Sequence, residues 1–130
     1  MMIFQKRRFL RDAASLAEGE ISVDEFLQKH ASQPLYYSTP FGEDAGGKQQ
    51  LWVLSSRDCE TKYMPAFTDK EKCRTFFTMI GRRDFIIIKG DLAAFLNAFD
   101  SHPILRELGA VVDPDSSAPI EFPPMTRVNK

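Results

Sequence analysis

Cysteine, histidine and tryptophan are scarce in this sequence, with two, two and one copies in 130 residues. Two cysteines, Cys59 and Cys73, cannot build the disulfide framework on which small secreted domains depend, so a reducing compartment, the cytoplasm, is expected. Long hydrophobic runs are missing too. The basic start (Lys6, Arg7, Arg8, Arg11) is followed by no apolar stretch long enough for a signal sequence or a membrane span, so neither export nor a membrane partner is expected. An excess of one charge is also lacking. A formal net charge of -1 and a pI of about 6.1 exclude a global field that would draw the chain to nucleic acid or anionic lipid.

What is present is the material of a packed core. Apolar residues make up 43% and charged residues 27%, and eleven phenylalanines are too many for a disordered chain. A chain of 130 residues buries enough surface to fold without disulfides or metal. With no internal repeat and no linker, residues 1–130 read as one domain: a helical pair over 1–32, a core over 33–124 and a polar tail over 125–130.

Periodicity places the elements. Phe9, Ala13, Leu16 and Ala17 recur at helical spacing, which predicts a helix over about 4–18 ended by Gly19. Ser22 with Glu25 forms a capping box ahead of Val23, Phe26, Leu27 and His30, and so starts a second helix. After Pro34 the composition turns to β-type residues, with strands expected at Leu35 to Thr39, Leu51 to Ser55 and Tyr63 to Thr68. Pro65 cannot donate to a ladder, which argues for a sheet edge or a bulge. Thr68 and Glu71 form another capping box for a helix carrying Cys73, Phe76, Phe77 and Ile80 on one face and ended by Gly81.

Phe85 to Ile88 is a continuous apolar run, expected to be the centre of the sheet with both faces covered. Asp91 caps the next helix, on which Leu92, Phe95, Leu96 and Phe99 share a face. Pro103 opens a short helix, and Ala110 to Val112 and Ile120 to Phe122 are short strands on either side of an Asp113–Ser116 turn. The fold class is α+β: a mixed, mainly antiparallel sheet of about five or six strands, covered mainly on one side by helices, with an N-terminal helical pair.

Each chemical constellation has a structural competitor. Gly42, Gly47 and Lys48 fit a phosphate loop up to the position of the magnesium-binding hydroxyl, where Gln49 stands instead. Glu43 and Asp44 would repel phosphate and a strand follows, so a hairpin loop is the reading. Cys59, Cys73, His30 and His102 lie singly in different elements, without metal-ligand spacing. Asp58 and Glu60 flank Cys59 and disfavour its thiolate, while Cys73 reads as a core residue. His30 reads as packing and His102 as part of a turn. Asp113 and Asp115 fit a turn better than a carboxylate pair. No Gly-x-Ser-x-Gly elbow occurs. Neither a catalytic centre nor a cofactor or metal is expected. The N-terminal basic cluster is offset by Asp12, Glu18, Glu20, Asp24 and Glu25, so a nucleic-acid partner is not expected.

One stretch carries a family likeness. Tyr63-Met64-Pro65-Ala66-Phe67-Thr68-Asp69-Lys70-Glu71, then Phe76 and Phe77, the helix from Asp91 to Phe99, and Gly109-Ala110-Val111-Val112-Asp113-Pro114 together resemble the SseB protein N-terminal domain family. Members of that family often carry Asn where this chain has Asp113. The likeness covers about half the chain and omits the two N-terminal helices. It implies a bacterial cytoplasmic protein of poorly defined role, with no established cofactor or catalytic residue.

The function expected from all this is a binding or regulatory module acting through an unidentified protein partner. Its candidate surface comprises Tyr36, Tyr37, Trp52 and Pro65, aromatic types favoured at interfaces beside a strand expected at an edge, with Arg82 and Arg83. The alternative is a small-molecule binder or minor enzyme with a pocket between sheet and N-terminal helices, rimmed by Asp58, Arg82, Arg83 or Asp113.

Overall fold

The computed structural model describes residues 2–44, 46–55, 61–116, 119–122 and 124, with side chains from residue 7 onward. Two helices come first, α1 (Met2–Ala17) and α2 (Val23–His30). Gly19, at φ +78°, turns the chain after α1. The Ser22 hydroxyl accepts the Glu25 N–H at 3.1 Å, so the second helix starts where its capping box stands.

The strands are β1 (Pro34–Tyr37), β2 (Phe41–Glu43), β3 (Gln49–Leu51), β4 (Leu54–Ser55) and β5 (Lys62–Ala66). After α3 (Lys70–Met79) come β6 (Ile88–Asp91), α4 (Leu92–Asn97), a 3-10 turn (Ala98–Ser101), α5 (Pro103–Arg106), β7 (Gly109–Val112) and β8 (Ile120–Phe122). The main sheet has the order β4-β5-β7-β8, with β5 and β7 parallel and the other pairs antiparallel. Strand β1 pairs with β6 and joins the end of β5 through a bridge between Tyr36 and Phe67. Strands β2 and β3 form a separate hairpin. The architecture is α+β.

Alternation along β1 and β5 divides the interior in two. Leu35, Tyr37, Met64 and Ala66 point into a core filled by Phe9 of α1, Phe26 of α2 and Phe95 of α4, together with Val112, Ile120 and Phe122. Tyr36 and Phe67 point the other way, to Trp52 and to Cys73 and Phe77 of α3. Helices therefore cover both faces unequally: α1, α2, α4 and α5 pack into the first core and, among the described residues, α3 alone into the second, so the cover lies mainly on one side, as expected.

Four local expectations change. Helix α3 is capped by Asp69, whose carboxylate accepts the Glu71 and Lys72 N–H groups, while Thr68 is held by Asp113 across the sheet. The run Phe85 to Ile88 is not the centre of the sheet. Phe85 and Ile87 pack under α3, Ile86 between them is 67% exposed, and ladder pairing begins only at Ile88. The strand buried along its whole length is β7, whose Gly and Ala contribute little to a hydrophobic signal.

Pro65 does not lie at an outer edge: it is fully buried in β5, which has neighbours on both sides. On one side the ladder stops at Leu54–Tyr63 and the chain is bridged again only at Phe67, so the missing N–H of Pro65 falls in a gap between β4 and β1. Trp52, next in register opposite Pro65, turns away and donates its N–H to Pro40 O at 2.7 Å. That turn divides the expected strand Leu51 to Ser55 between β3 and β4.

Candidate functional site

The most unusual grouping of side chains begins at the end of α3. Gly81, at φ +86°, turns the chain so that its N–H bonds Thr78 O at 3.1 Å and the Arg82 N–H bonds Phe77 O at 3.0 Å. These two bonds make a Schellman motif, in which the residue after the glycine folds back over the last helical turn. Here that residue is arginine, and its guanidinium carbon lies 4.9 Å from the Phe77 ring centre. Trp52 at 5.6 Å and Phe85 at 5.9 Å complete an aromatic box around it.

Arg82 is 7% exposed and pairs with no carboxylate among the described residues. Its Nη2 donates to the carbonyls of Thr39 at 2.7 Å and Phe41 at 3.1 Å, whereas Nε and Nη1 find no acceptor among the described residues. Position 42 lies close against the guanidinium. A Cβ there would stand 2.8 Å from Nη2 and 3.0 Å from Nε. Burial lowers the arginine's pKa from its ordinary value. The same burial pushes the Cys73 thiol up to about 11, against the pull of Arg82 and Arg74, so at neutral pH Cys73 is a buried thiol and not a nucleophile.

Of the six residues singled out from the sequence, this box gathers Trp52 and Arg82, and Tyr36 packs half-buried against the same cluster. Arg83 is exposed beside it. Its backbone N–H reaches Glu43 O at 3.1 Å and its Nε lies 3.4 Å from Asp84. Tyr37 and Pro65 are elsewhere: Tyr37 faces the other core, 4.8 Å from the Phe95 ring, and burial raises its pKa. Four of the six (Tyr37, Trp52, Pro65 and Arg82) are buried and offer no contact surface as they stand. The sequence reading missed Gly42, Phe77 and Phe85. A glycine ending a helix with arginine next was the signal that could have located them.

The remaining candidates are held by structure. Asp44 fills the phosphate-like loop with its own carboxylate, accepting the N–H groups of Gly46 and Lys48 and the Gln50 side chain, so its backbone donors are occupied. His30 is buried between Phe9 and Phe26 and lies 2.7 Å from Asp12. His102 caps α5 through Nδ1, which accepts the Ile104 N–H at 3.1 Å. Asp113, at φ +53°, accepts both the N–H and the hydroxyl of Thr68. Cys59 and Asp58 lie outside the described residues, as do the side chain of Lys6 and the tail 125–130. Among the described residues no cluster of His, Cys, Asp and Glu is arranged to hold a metal, and no helix is long and apolar enough to cross a membrane.

A cleft of about 340 Å³ is lined by Ala13 and Ala14 of α1, by Lys72 of α3 and by Asp113, Ser116 and Ile120 of the segment after β7. Other large apolar side chains are exposed. Phe41 and Leu51 face each other across the β2–β3 hairpin at 42% and 37% exposure, and Met79 and Ile80 end α3 just before Arg82. Searches of known protein families, curated proteins and solved structures returned no match to this chain.

Proposed function

We propose that this chain is a non-catalytic binding or regulatory module that works through protein–protein contacts. One observation carries the reading: large apolar side chains stand exposed on the β2–β3 hairpin and on either side in sequence of the Arg82 turn to which that hairpin is bridged. Phe41 and Leu51 lie on the hairpin, Met79 and Ile80 directly before the turn, and Ile86 shortly after it. Large apolar side chains left exposed are a common element of interaction surfaces. The hairpin bonded to Arg82 and Arg83 holds part of that surface in place. A cytoplasmic location belongs to the same proposal, as does kinship with SseB-type domains. Its two main motif segments lie side by side as β5 and β7.

Affinity capture with the wild-type chain and with a Phe41→Glu, Met79→Glu variant of unchanged circular dichroism tests this reading. A protein retained by the first and lost by the second supports it, while identical recoveries from both would overturn it.

The cleft beside α1 favours a second reading, a small-molecule binder. It is lined by α1, by Lys72 of α3 and by the segment that follows β7, with Asp113 in its wall. A metabolite that raises the melting temperature of the wild type, but not of an Ala14→Leu variant that fills the cleft, would support it. Equal shifts in both would exclude the cleft.

A further inference from the structure

A guanidinium recognises carboxylate or phosphate with two parallel N–H groups along one edge, and one such edge is formed by Nε and Nη2. In Arg82 that edge is covered by the backbone of β2. Gly42 sits against both nitrogens, and Nη2 is occupied by the neutral carbonyls of Thr39 and Phe41. Nε has no acceptor among the described residues. The guanidinium's faces are meanwhile fixed by Trp52, Phe77 and Phe85, so the fork is held in one orientation.

The cover is lightly fastened. Phe41, Glu43, Gln49, Gln50 and Leu51 of the hairpin are all exposed, so lifting it strips little apolar surface from the core. Its ties to the body include the Nη2–Phe41 bond, the Arg83–Glu43 backbone bond, the Asp44–Arg82 bridge and an edge contact of the Phe41 ring with His102, 5.6 Å between ring centres. An oxyanion offers a guanidinium bonds roughly twice as strong as a neutral carbonyl does.

We propose that Arg82 is an oxyanion-binding site covered by the β2–β3 hairpin, and that a carboxylate or phosphate group displaces Gly42 and Phe41 from the Nε–Nη2 edge. The site does not depend on the protein-binding reading, because free anions suffice to probe it. Trp52, the sole tryptophan, lies 5.6 Å from the guanidinium and reports on occupancy through its emission.

The experiment titrates the full chain with sodium phosphate and, separately, sodium acetate at constant ionic strength, with chloride as control. It reads Trp52 fluorescence and hydrogen exchange at residues 41–43 and 49–51. A saturable emission change with faster hairpin exchange is expected. Response to phosphate alone, to acetate alone or to both names the group. Arg82→Lys, which keeps the charge and loses the fork, should bind at least about tenfold more weakly. Gly42→Ala, whose methyl forces the cover outward, should bind several-fold more tightly and exchange faster before any anion is added. If the arginine variant fails to fold, the wild-type and Gly42→Ala titrations still decide the matter. Unchanged emission and unchanged exchange in both, or a response matched by chloride, overturns the proposal.

Discussion

Nε2 of His30 and a carboxylate oxygen of Asp12 stand 2.7 Å apart and join α2 to α1 beside the rings of Phe9 and Phe26. The hydrogen bond to His30 outweighs partial desolvation and holds the Asp12 carboxyl below its ordinary pKa. A folded-state pKa below the unfolded one means that the ionised form is what stabilises the fold. The contribution is complete above the ordinary aspartate range, about 3.9, and is lost as pH falls through the lowered value. Asp12→Asn should therefore destabilise the chain by about 1–3 kcal/mol at neutral pH. In urea titrations the gap between variant and wild type should close as pH drops below about 4. A gap independent of pH would rule out this pairing as its source.

Asp113 combines a left-handed backbone with two bonds to Thr68, so its replacements should rank in order. Asn tolerates the conformation and keeps an acceptor, Gly keeps only the conformation, and Ala keeps neither. Denaturation midpoints should fall in the order wild type, Asn, Gly, Ala, with Ala losing about 2–3 kcal/mol. Equal losses for Gly and Ala would mean that the backbone strain is negligible.

Gly81 turns α3 toward Arg82, and the space around its missing side chain is open. Gly81→Ala should therefore cost only the left-handed conformation, roughly 1–2 kcal/mol. Gly81→Asn should recover part of that. Because this turn aims Arg82, the alanine variant should also shift the Trp52 emission maximum, whereas a stability loss with unchanged emission would place the damage elsewhere.

Cys73 should resist labelling. With Cys59 replaced by serine, a disulfide reagent at pH 8 should react with the unfolded chain in urea and leave the folded chain unmodified, because the thiol is buried and its pKa stands at about 11. Rapid labelling of the folded chain would show that α3 does not seal this part of the core.

Local chemistry made much of the fold legible. The capping box at Ser22, the single cap at Asp91, Pro103 at the head of α5 and the helical spacing of Phe95 and Leu96 act within one turn of chain, and the helices stand where these signals lie. Pairing across distance was not legible. Nothing in Tyr63 or Gly109 announces that they are parallel partners, and the small residues of β7 concealed its burial. Ile86 misled because a continuous apolar run cannot reveal that one of its faces lies in solvent. Arg82 was named as a surface cation, since arginine is seldom buried without an acid, and the three rings that enclose it come from separate stretches of chain.

The parallel alignment of β5 with β7 joins segments about 45 residues apart, as the Thr68–Asp113 contact marks. During synthesis β5 leaves the ribosome well before its central neighbour, and the middle of the sheet must wait while α3, α4 and α5 are made. Until β7 arrives, the newborn chain exposes one unsatisfied side of β5, and this interval is when a chaperone or a misplaced strand has its opportunity.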